Sequence, residues 1–288
     1  MLKKAVFPVG GLGTRFLPVT KSIPKEMLPL VDKPLIHFAV NEAIEAGIEE
    51  FIFVTGRGKT AIEDYFDLSY ELTANLKNKN KKTVLNILDE NRLPPGCFSY
   101  TRQQEPLGLG HAIWCARHLV GNEPFAVLLV DDFIHGTPGC LKQMADSFEK
   151  VGGNLAAIVE VPENQVSDYG IIQPGSRSGP LVEIKGLVEK PSLKDAPSRL
   201  SIVGRYILSP QVFEILENQE KGAGGEIQLT DALDTMIGAD PFHGFLFQGK
   251  RFDCGNKKGY LAAILHLAAE DPDLKSVLTE FSKNQKEG

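Results

Sequence analysis

The chain has no excess of positive charge, no paired cysteines and no apolar run long enough to cross a bilayer. Its 31 Lys and Arg against 37 Asp and Glu leave a formal net charge of -6 over 288 residues. A general nucleic-acid binder carries a basic footprint, so no nucleic-acid partner is expected. Any phosphate site must then be a local pool of basic residues on an acidic body. The four cysteines, Cys97, Cys115, Cys140 and Cys254, have no Cys-x-x-Cys spacing and no paired histidines beside them. Neither a zinc site nor a disulfide frame is suggested, and a reduced, cytoplasmic compartment is expected. The first strand pattern begins by about Lys3, leaving no room for a signal peptide, and no stretch approaches the ~20 apolar residues of a bilayer span, so no membrane partner is expected. Repeats and low-complexity segments are absent, as is any His/Ser/Asp constellation.

What the chain does contain is an ordinary globular composition, 42% hydrophobic and 24% charged, enough for one large core or two smaller ones. Strand and helix patterns alternate through the first half, which argues for a parallel sheet with helices on both faces. Strands are expected at 51–54, 98–102 and 125–130 after the opening one. Helices are expected at 34–47, just after 58, across Leu68, Leu72 and Leu76, and at 110–119. Beyond about Val151 strand patterns crowd together (155–161, 169–173, 181–189, 200–208), with fewer helices between them. No linker separates the halves, so one domain is expected over 1–288: about 1–150 and 151–255 as its two halves and 256–288 as a helical tail, whose apolar residues suit docking on the body or on another subunit. The run Lys77, Lys79, Lys81 and Lys82 reads as a solvated helix end.

The stretch that organises the rest is Val6-Phe7-Pro8-Val9-Gly10-Gly11-Leu12-Gly13-Thr14-Arg15. A β-branched and aromatic run ends in three glycines within four residues, so the chain leaves a strand with its backbone amides bare. Successive amides form a concave donor surface, and Arg15 adds a planar fork suited to phosphate oxygens. A tight turn is the plainer alternative. A Walker loop would end in Gly-Lys-Ser/Thr, and Gly13-Thr14-Arg15 has no lysine. A dinucleotide loop needs a third glycine three residues after the second and a helix opening there, and Pro18 breaks that helix.

Gly11-Leu12-Gly13-Thr14-Arg15-Phe16-Leu17-Pro18 with Pro24-Lys25-Glu26-Met27-Leu28-Pro29 resembles the signature of the sugar-phosphate nucleotidylyltransferases, and the similarity runs to about Tyr260. The resemblance implies an α/β fold with a Rossmann-like, mostly parallel central sheet flanked by helices and added strands forming a sugar-binding half. It also implies that Gly10, Gly11, Leu12, Gly13, Thr14, Arg15 and Lys25 hold a nucleoside triphosphate. Lys25-Glu26-Met27-Leu28-Pro29, the insert around 66–92 and Gly-Leu-Gly-His-Ala at 108–112 look like the uridylyl subgroup. Val9-Gly10 departs from the small alanines usual in the family.

Four further constellations carry chemistry. In Arg102-Gln103-Gln104-Glu105-Pro106-Leu107-Gly108, a primary amide can donate and accept in one plane, which suits a pyrimidine's imide edge. The family pairing makes Gln103 and Gly108 the base readers, against a plain surface-loop glutamine. His111 reads as a packing or phosphate-facing residue. Asp131 and Asp132 follow the most apolar strand, where ligands of open α/β sheets bind and a hard oxygen donor suits Mg²⁺. Asp131 is the expected metal ligand and Asp132 the fallback, one of them merely capping the next turn. By resemblance Glu189 holds glucose hydroxyls, Lys190 the sugar's phosphate and Gly170 the ring, with Tyr206 also at the sugar; a surface Glu-Lys pair is the alternative. Asp253 in Arg251-Phe252-Asp253-Cys254-Gly255 falls where the family places its second metal-coordinating carboxylate. Gly225 to Asp231 also matches a family motif and is assigned to helix capping and packing, with Glu226 opening a helix.

A sugar-phosphate oxygen is already an anion near neutral pH and needs no general base. The reaction the resemblance implies is attack of glucose 1-phosphate on the α-phosphorus of UTP, with Mg²⁺ as cofactor and Arg15, Lys25 and Lys190 as catalytic residues. Thymidylyl or cytidylyl transfer on the same scaffold is the alternative, and a non-catalytic regulatory paralogue is a third reading. The expected partners are the two small substrates and further copies of the chain, as a dimer or tetramer.

Overall fold

The computed structural model describes residues 1–89, 92–222 and 225–287. Strand β1 (Lys4–Pro8) has Ala5, Val6 and Phe7 fully buried, as a strand covered on both faces must. The chain leaves β1 through short 3-10 turns at 14–16, 19–21 and 25–27, with no α-helix opening at the glycine loop. A two-strand ribbon follows, β2 (Pro29–Leu30) with β3 (Lys33–Pro34), leading into α1 (Leu35–Glu45). Gly47, at φ +86, turns the chain out of α1 in a conformation that glycine adopts without penalty.

Next come β4 (Glu50–Thr55) and α2 (Thr60–Phe66). The single amphipathic helix expected beyond them is two, α3 (Tyr70–Asn78) and α4 (Lys82–Asp89), divided where Asn80 takes a left-handed φ of 52. Its lysines are all exposed, as a solvated helix end requires. Glu90 and Asn91, at the end of this insert, lie outside the described residues. After β5 (Phe98–Arg102) the helix expected at 110–119 is likewise split, into α5 (Leu109–Trp114) and α6 (Arg117–Val120).

The apolar run at 125–130 forms β6 (Phe125–Leu128) and then turns, so that Asp132 already opens β7 (Asp132–His135). The chain continues through α7 (Cys140–Val151), β8 (Asn154–Glu160), β9 (Gly170–Ser178), β10 (Leu181–Glu189) and β11 (Leu200–Leu208). It ends with α8 (Val212–Asn218), α9 (Leu229–Met236), β12 (Phe242–Leu246), β13 (Lys250–Asp253), α10 (Lys257–Glu270) and α11 (Pro272–Glu287).

Among the described residues, nine strands make one sheet in the order β5-β4-β1-β6-β11-β8-β12-β10-β9. The first four are mutually parallel, so their carboxyl ends share one edge. From β11 onward neighbours pair antiparallel except β12 beside β8. Alternation along the strands feeds two cores. Phe7, Phe51 and Phe53 pack with α1 and α7 on one face, while Val6, Ile52 and Val54 pack with α5, α8 and α9 on the other. β7 and β13 form a separate antiparallel ribbon in which Asp132 faces Asp253 and His135 faces Lys250.

Candidate active site

The carboxyl edge of the parallel strands gathers the first residues. Leaving β1, Val9 donates its N–H to the Val54 carbonyl at 2.9 Å. A methyl on Gly10 would stand 3.3 Å from Gln103 Oε1 and 3.5 Å from the Thr55 carbonyl, so the glycine loop touches the expected base reader. Gln103 is anchored by its own N–H to the Thr55 carbonyl at 2.9 Å. Its side-chain amide donates to the Gly108 carbonyl at 3.0 Å and lies 3.1 Å from His111 Nδ1. Burial lowers the pKa of His111 against the opposing pull of Glu105, which favours a neutral ring able to accept that amide proton. Gly108 sits at φ +105, and a Cβ there would be 2.8 Å from both Glu226 Cβ and the Ile227 carbonyl. Glycine is required on both counts.

The second group is a charge centre. Gly13 takes φ +66, and Thr20 fixes the turn by donating its hydroxyl to the Gly13 carbonyl at 2.7 Å. Leu12, Thr14 and Arg15 are exposed, and a methyl on Gly11 would lie 3.6 Å from Lys25 Cε, so the lysine runs beside the loop. Lys25 Nζ donates to Asp131 Oδ2 at 2.6 Å. Arg15 Nη1 reaches the Gly255 carbonyl at 3.5 Å. Asp253 Oδ1 accepts the Gly255 N–H at 3.0 Å, and its Oδ2 accepts the Tyr169 hydroxyl at 3.1 Å. A methyl on Gly255 would be 3.0 Å from Asp131 Oδ2, 3.0 Å from Asp253 Oδ1 and 3.6 Å from Arg15 Nη1. Two carboxylates and a guanidinium therefore converge where the chain has no side chain.

Electrostatics follow from this crowding. Burial alone would hinder ionisation of Asp131, and Lys25 reverses that, holding its carboxyl below the ordinary range. For Lys25, burial works against the charge, while Asp131 and Glu26 overcome it and raise the pKa. The turn that carries Lys25 is pinned from beneath by Glu26, 1% exposed, which accepts a 2.7 Å bond from Lys59. Asp132 has both oxygens engaged, Oδ2 by the Gly204 N–H at 2.7 Å and Oδ1 by Arg251 Nε at 2.6 Å. Burial raises its pKa even so.

The third group lies at the end of β10. Glu189 pairs with Gly170 across the sheet, and a methyl on Gly170 would be 2.9 Å from Ile202 Cδ1 and 3.2 Å from Glu189 Oε2. Lys190 turns outward at φ 45, its N–H bonded to the Tyr169 carbonyl at 3.1 Å and its Nζ 3.4 Å from Glu189 Oε1. Tyr206 is 4% exposed and packs in the apolar core on β11, where burial raises its pKa and the neighbouring Asp132 and Glu189 add to the rise. A correction concerns the 225–231 segment. α9 begins at Leu229, preceded by Gln228 with no side-chain cap, and Thr230 donates to Glu189 Oε2 at 2.7 Å. The segment's hydroxyl serves the site, and Glu226 lies ahead of the helix.

Residues 4–270 match the family profile described as Nucleotidyl transferase. The chain belongs to the nucleotidyl transferase family. It is 54% identical to a UTP--glucose-1-phosphate uridylyltransferase of Komagataeibacter xylinus, over 89% of this chain and 90% of that one. It is 48% identical to the protein of the same name in Bacillus subtilis (strain 168), over 97% and 96%. Among solved structures it resembles a UDP-glucose pyrophosphorylase complexed with UDP-glucose, with TM-score 0.85, 47% identity and coverage of 94% of this chain and 100% of that one.

This nucleotidyl transferase has site features that its sequence announced only in part. Arg251 stacks 4.7 Å over the Tyr169 ring while bonding Asp132, and Tyr169 in turn bonds Asp253. The relay ties the Gly170 segment to the paired carboxylates. Arg251 and Asp253 stand two apart, so they share one face of β13, a signal that strand periodicity carries. Thr230 fell in the motif at 225–231 that was read as capping and packing, and no local signal tied it to Glu189, 41 residues away in sequence.

Proposed function

We propose that the protein transfers the uridylyl group of UTP to glucose 1-phosphate, giving UDP-glucose and pyrophosphate. The observation that carries this reading is the convergence of Arg15, Asp131 and Asp253 on Gly255, with Lys25 bonded to Asp131, beside the glycine loop and at the carboxyl edge of the parallel strands. The uridylyltransferase relatives, aligned over nearly the whole chain, support the choice of nucleotide and sugar.

The residues divide the work. Gln103 and Gly108 face the base from the loop after β5, with His111 setting the amide's orientation. The amides of Gly10, Gly11, Leu12, Gly13 and Thr14 meet the triphosphate. Glu189, braced by Thr230, accepts sugar hydroxyls, Gly170 leaves room for the ring, and Lys190 holds the sugar's phosphate. An oxygen of that phosphate, already ionised, attacks the α-phosphorus in line; the new P–O bond forms as the bond to the β-phosphate oxygen breaks. Arg15 and Lys25 meet the charge that builds on the α-phosphate and the departing pyrophosphate. No side chain has to remove a proton.

The cradle that a Cβ on Gly255 would fill fits a small, hard cation. Asp131 and Asp253 supply the oxygen donors Mg²⁺ prefers and both reach this gap, whereas Asp132 is turned toward the Gly204 N–H and Arg251. Bound there, Mg²⁺ neutralises phosphate charge and polarises the α-phosphate. The free cysteines fit a reducing, cytoplasmic setting, and no described helix is long and apolar enough to cross a membrane. Exposed Leu261 and Leu265 on α10, with Val277 and Phe281 on α11, support a homo-oligomer.

The test is pyrophosphate release from the purified chain with glucose 1-phosphate, Mg²⁺ and each of the four nucleoside triphosphates in turn. UTP is expected to be turned over fastest. Faster turnover with dTTP or CTP would move the reading to the thymidylyl or cytidylyl alternative, and no product with any nucleotide would favour a regulatory role.

A further inference from the structure

Away from the carboxylates, the β7–β13 ribbon meets α10 through two imidazoles. His135, the last residue of β7, places Nδ1 at 3.1 Å from Nε2 of His266. Glu270, one turn beyond His266 on the same helix, brings Oε1 to 3.5 Å from His266 Nε2 and Oε2 to 3.5 Å from His135 Nε2. One donor atom from each of the three lies within 4.8 Å of the others. None of these residues touches the nucleotide or sugar groups described above.

We propose that His135, His266 and Glu270 form a site for a divalent transition-metal ion of the zinc class. Tetrahedral Zn²⁺ with Zn–N bonds of about 2.0–2.1 Å holds its ligand atoms about 3.3 Å apart; the two separations at His266 Nε2, 3.1 and 3.5 Å, bracket that value, and all three ligand atoms lie within 4.8 Å of one another. Two imidazoles and one carboxylate suit a borderline ion and not Mg²⁺, which takes oxygen donors. An i, i+4 His and Glu share one helix face, and the third ligand comes from a different element, so the ion would fasten α10 to the ribbon. The site is reachable from solvent, with side-chain exposures of 36% for His135, 23% for His266 and 53% for Glu270. Phe133 and Phe252 pack on the inner sides of the two rings and limit their rotation. Lys250, opposite His135 in the ribbon, is the cation in the neighbourhood; its amine lies 5.2 Å from the Phe252 ring centroid.

The ribbon gives such an ion a structural consequence. Its far end carries Asp132 and Asp253, and Gly259 in the first turn of α10 packs so closely on the Asp253 carbonyl that a methyl there would clash. Fastening α10 to His135 therefore steadies the support of Asp253 from the end opposite the reaction.

The test uses the full chain stripped with chelator and titrated with Zn²⁺ by equilibrium dialysis in excess Mg²⁺, which keeps the oxygen site out of the measurement. One Zn²⁺ per chain is expected, with the thermal midpoint rising on binding. Co²⁺ in its place should give the strong visible absorption of a four-coordinate, imidazole-bound ion. His266→Ala and Glu270→Gln should each weaken Zn²⁺ binding at least about tenfold and abolish the thermal shift. Glu270 is exposed, so Glu270→Gln keeps the proposal testable should His266→Ala fold poorly, as judged by circular dichroism. Zn²⁺ affinity unchanged in Glu270→Gln, or no binding by the unaltered chain, would leave only a His–His hydrogen bond and overturn the proposal.

Discussion

Asp131 and Asp253 meet across Gly255: Oδ2 of the first and Oδ1 of the second each lie 3.0 Å from where a Gly255 Cβ would stand. The two carboxylates come from sequence-distant turns, one after β6 and the other at the end of β13, joined by the Cys254 N–H bonded to the Asp131 carbonyl at 2.7 Å. A methyl there would press on both. Gly255 has no positive φ to preserve, so the cost of Gly255→Ala is local and steric. Turnover is expected to fall roughly 10²-fold, the size of losing one well-placed electrostatic contact, with the thermal midpoint little changed. Pyrophosphate release at saturating substrates measures it; near-normal turnover would show that the gap between the carboxylates is not where charge is neutralised.

Lys25 occupies the oxygen of Asp131 that faces this gap. Removing the amine with Lys25→Met has two opposite consequences. Turnover is expected to drop by about 10² or more, because the cation opposite the triphosphate is gone. Mn²⁺ affinity without nucleotide, followed by electron paramagnetic resonance, should rise, because Asp131 Oδ2 no longer has an internal partner. Weaker Mn²⁺ binding in the variant would separate Lys25 from the cation site.

The parallel half of the sheet was legible because β1, β4 and β6 carry continuous apolar runs, and β5, β10 and β11 coincide with their patterns to the residue. The glycine loop, Lys25 and Gln103 were legible as a family signature. Helix α8 and strand β12 were not, since short segments give too few periods to distinguish, and α9 was expected three residues early, at Glu226. The choice between Asp131 and Asp132 was also closed to sequence. The two differ in surroundings that come from distant parts of the chain: Arg251 and the Gly204 N–H engage both oxygens of Asp132, while Asp131 bonds Lys25. Tyr206 matched a motif position, but its burial depends on the pairing of β11 with β6 and β8, which no local pattern displays.

Thr230 offers a test of the sugar side. Its hydroxyl bonds Glu189 Oε2 at 2.7 Å, and a hydrogen bond to a charged group contributes about 1.5–3 kcal/mol. Thr230→Val keeps the shape and removes the donor, so Glu189 loses its orientation while the charge centre is untouched. KM for glucose 1-phosphate is expected to rise about tenfold, with KM for UTP close to unchanged. An equal rise in both constants would point to a packing role for Thr230.

The Lys25–Asp131 pair also fixes a pH window. Asp131 has its folded pKa depressed, so its contribution to stability is present above its unfolded value, near 3.9, and is lost as pH falls through the lower folded value. Lys25 has its folded pKa raised, so its contribution is present below its unfolded value, near about 10.4, and is lost as pH rises through the higher folded one. A double-mutant cycle with Lys25→Met and Asp131→Asn, read from urea unfolding, should give a coupling energy that is flat from about pH 5 to about pH 9. It should shrink in acid below the ordinary carboxylate range and again in alkali above the ordinary lysine range. Burial opposes ionisation of both partners, so either single variant leaves the other charge uncompensated and should destabilise more than the double variant does. A coupling that already fades between about pH 6 and about pH 8 would mean that another group, titrating in the histidine range, governs the pair.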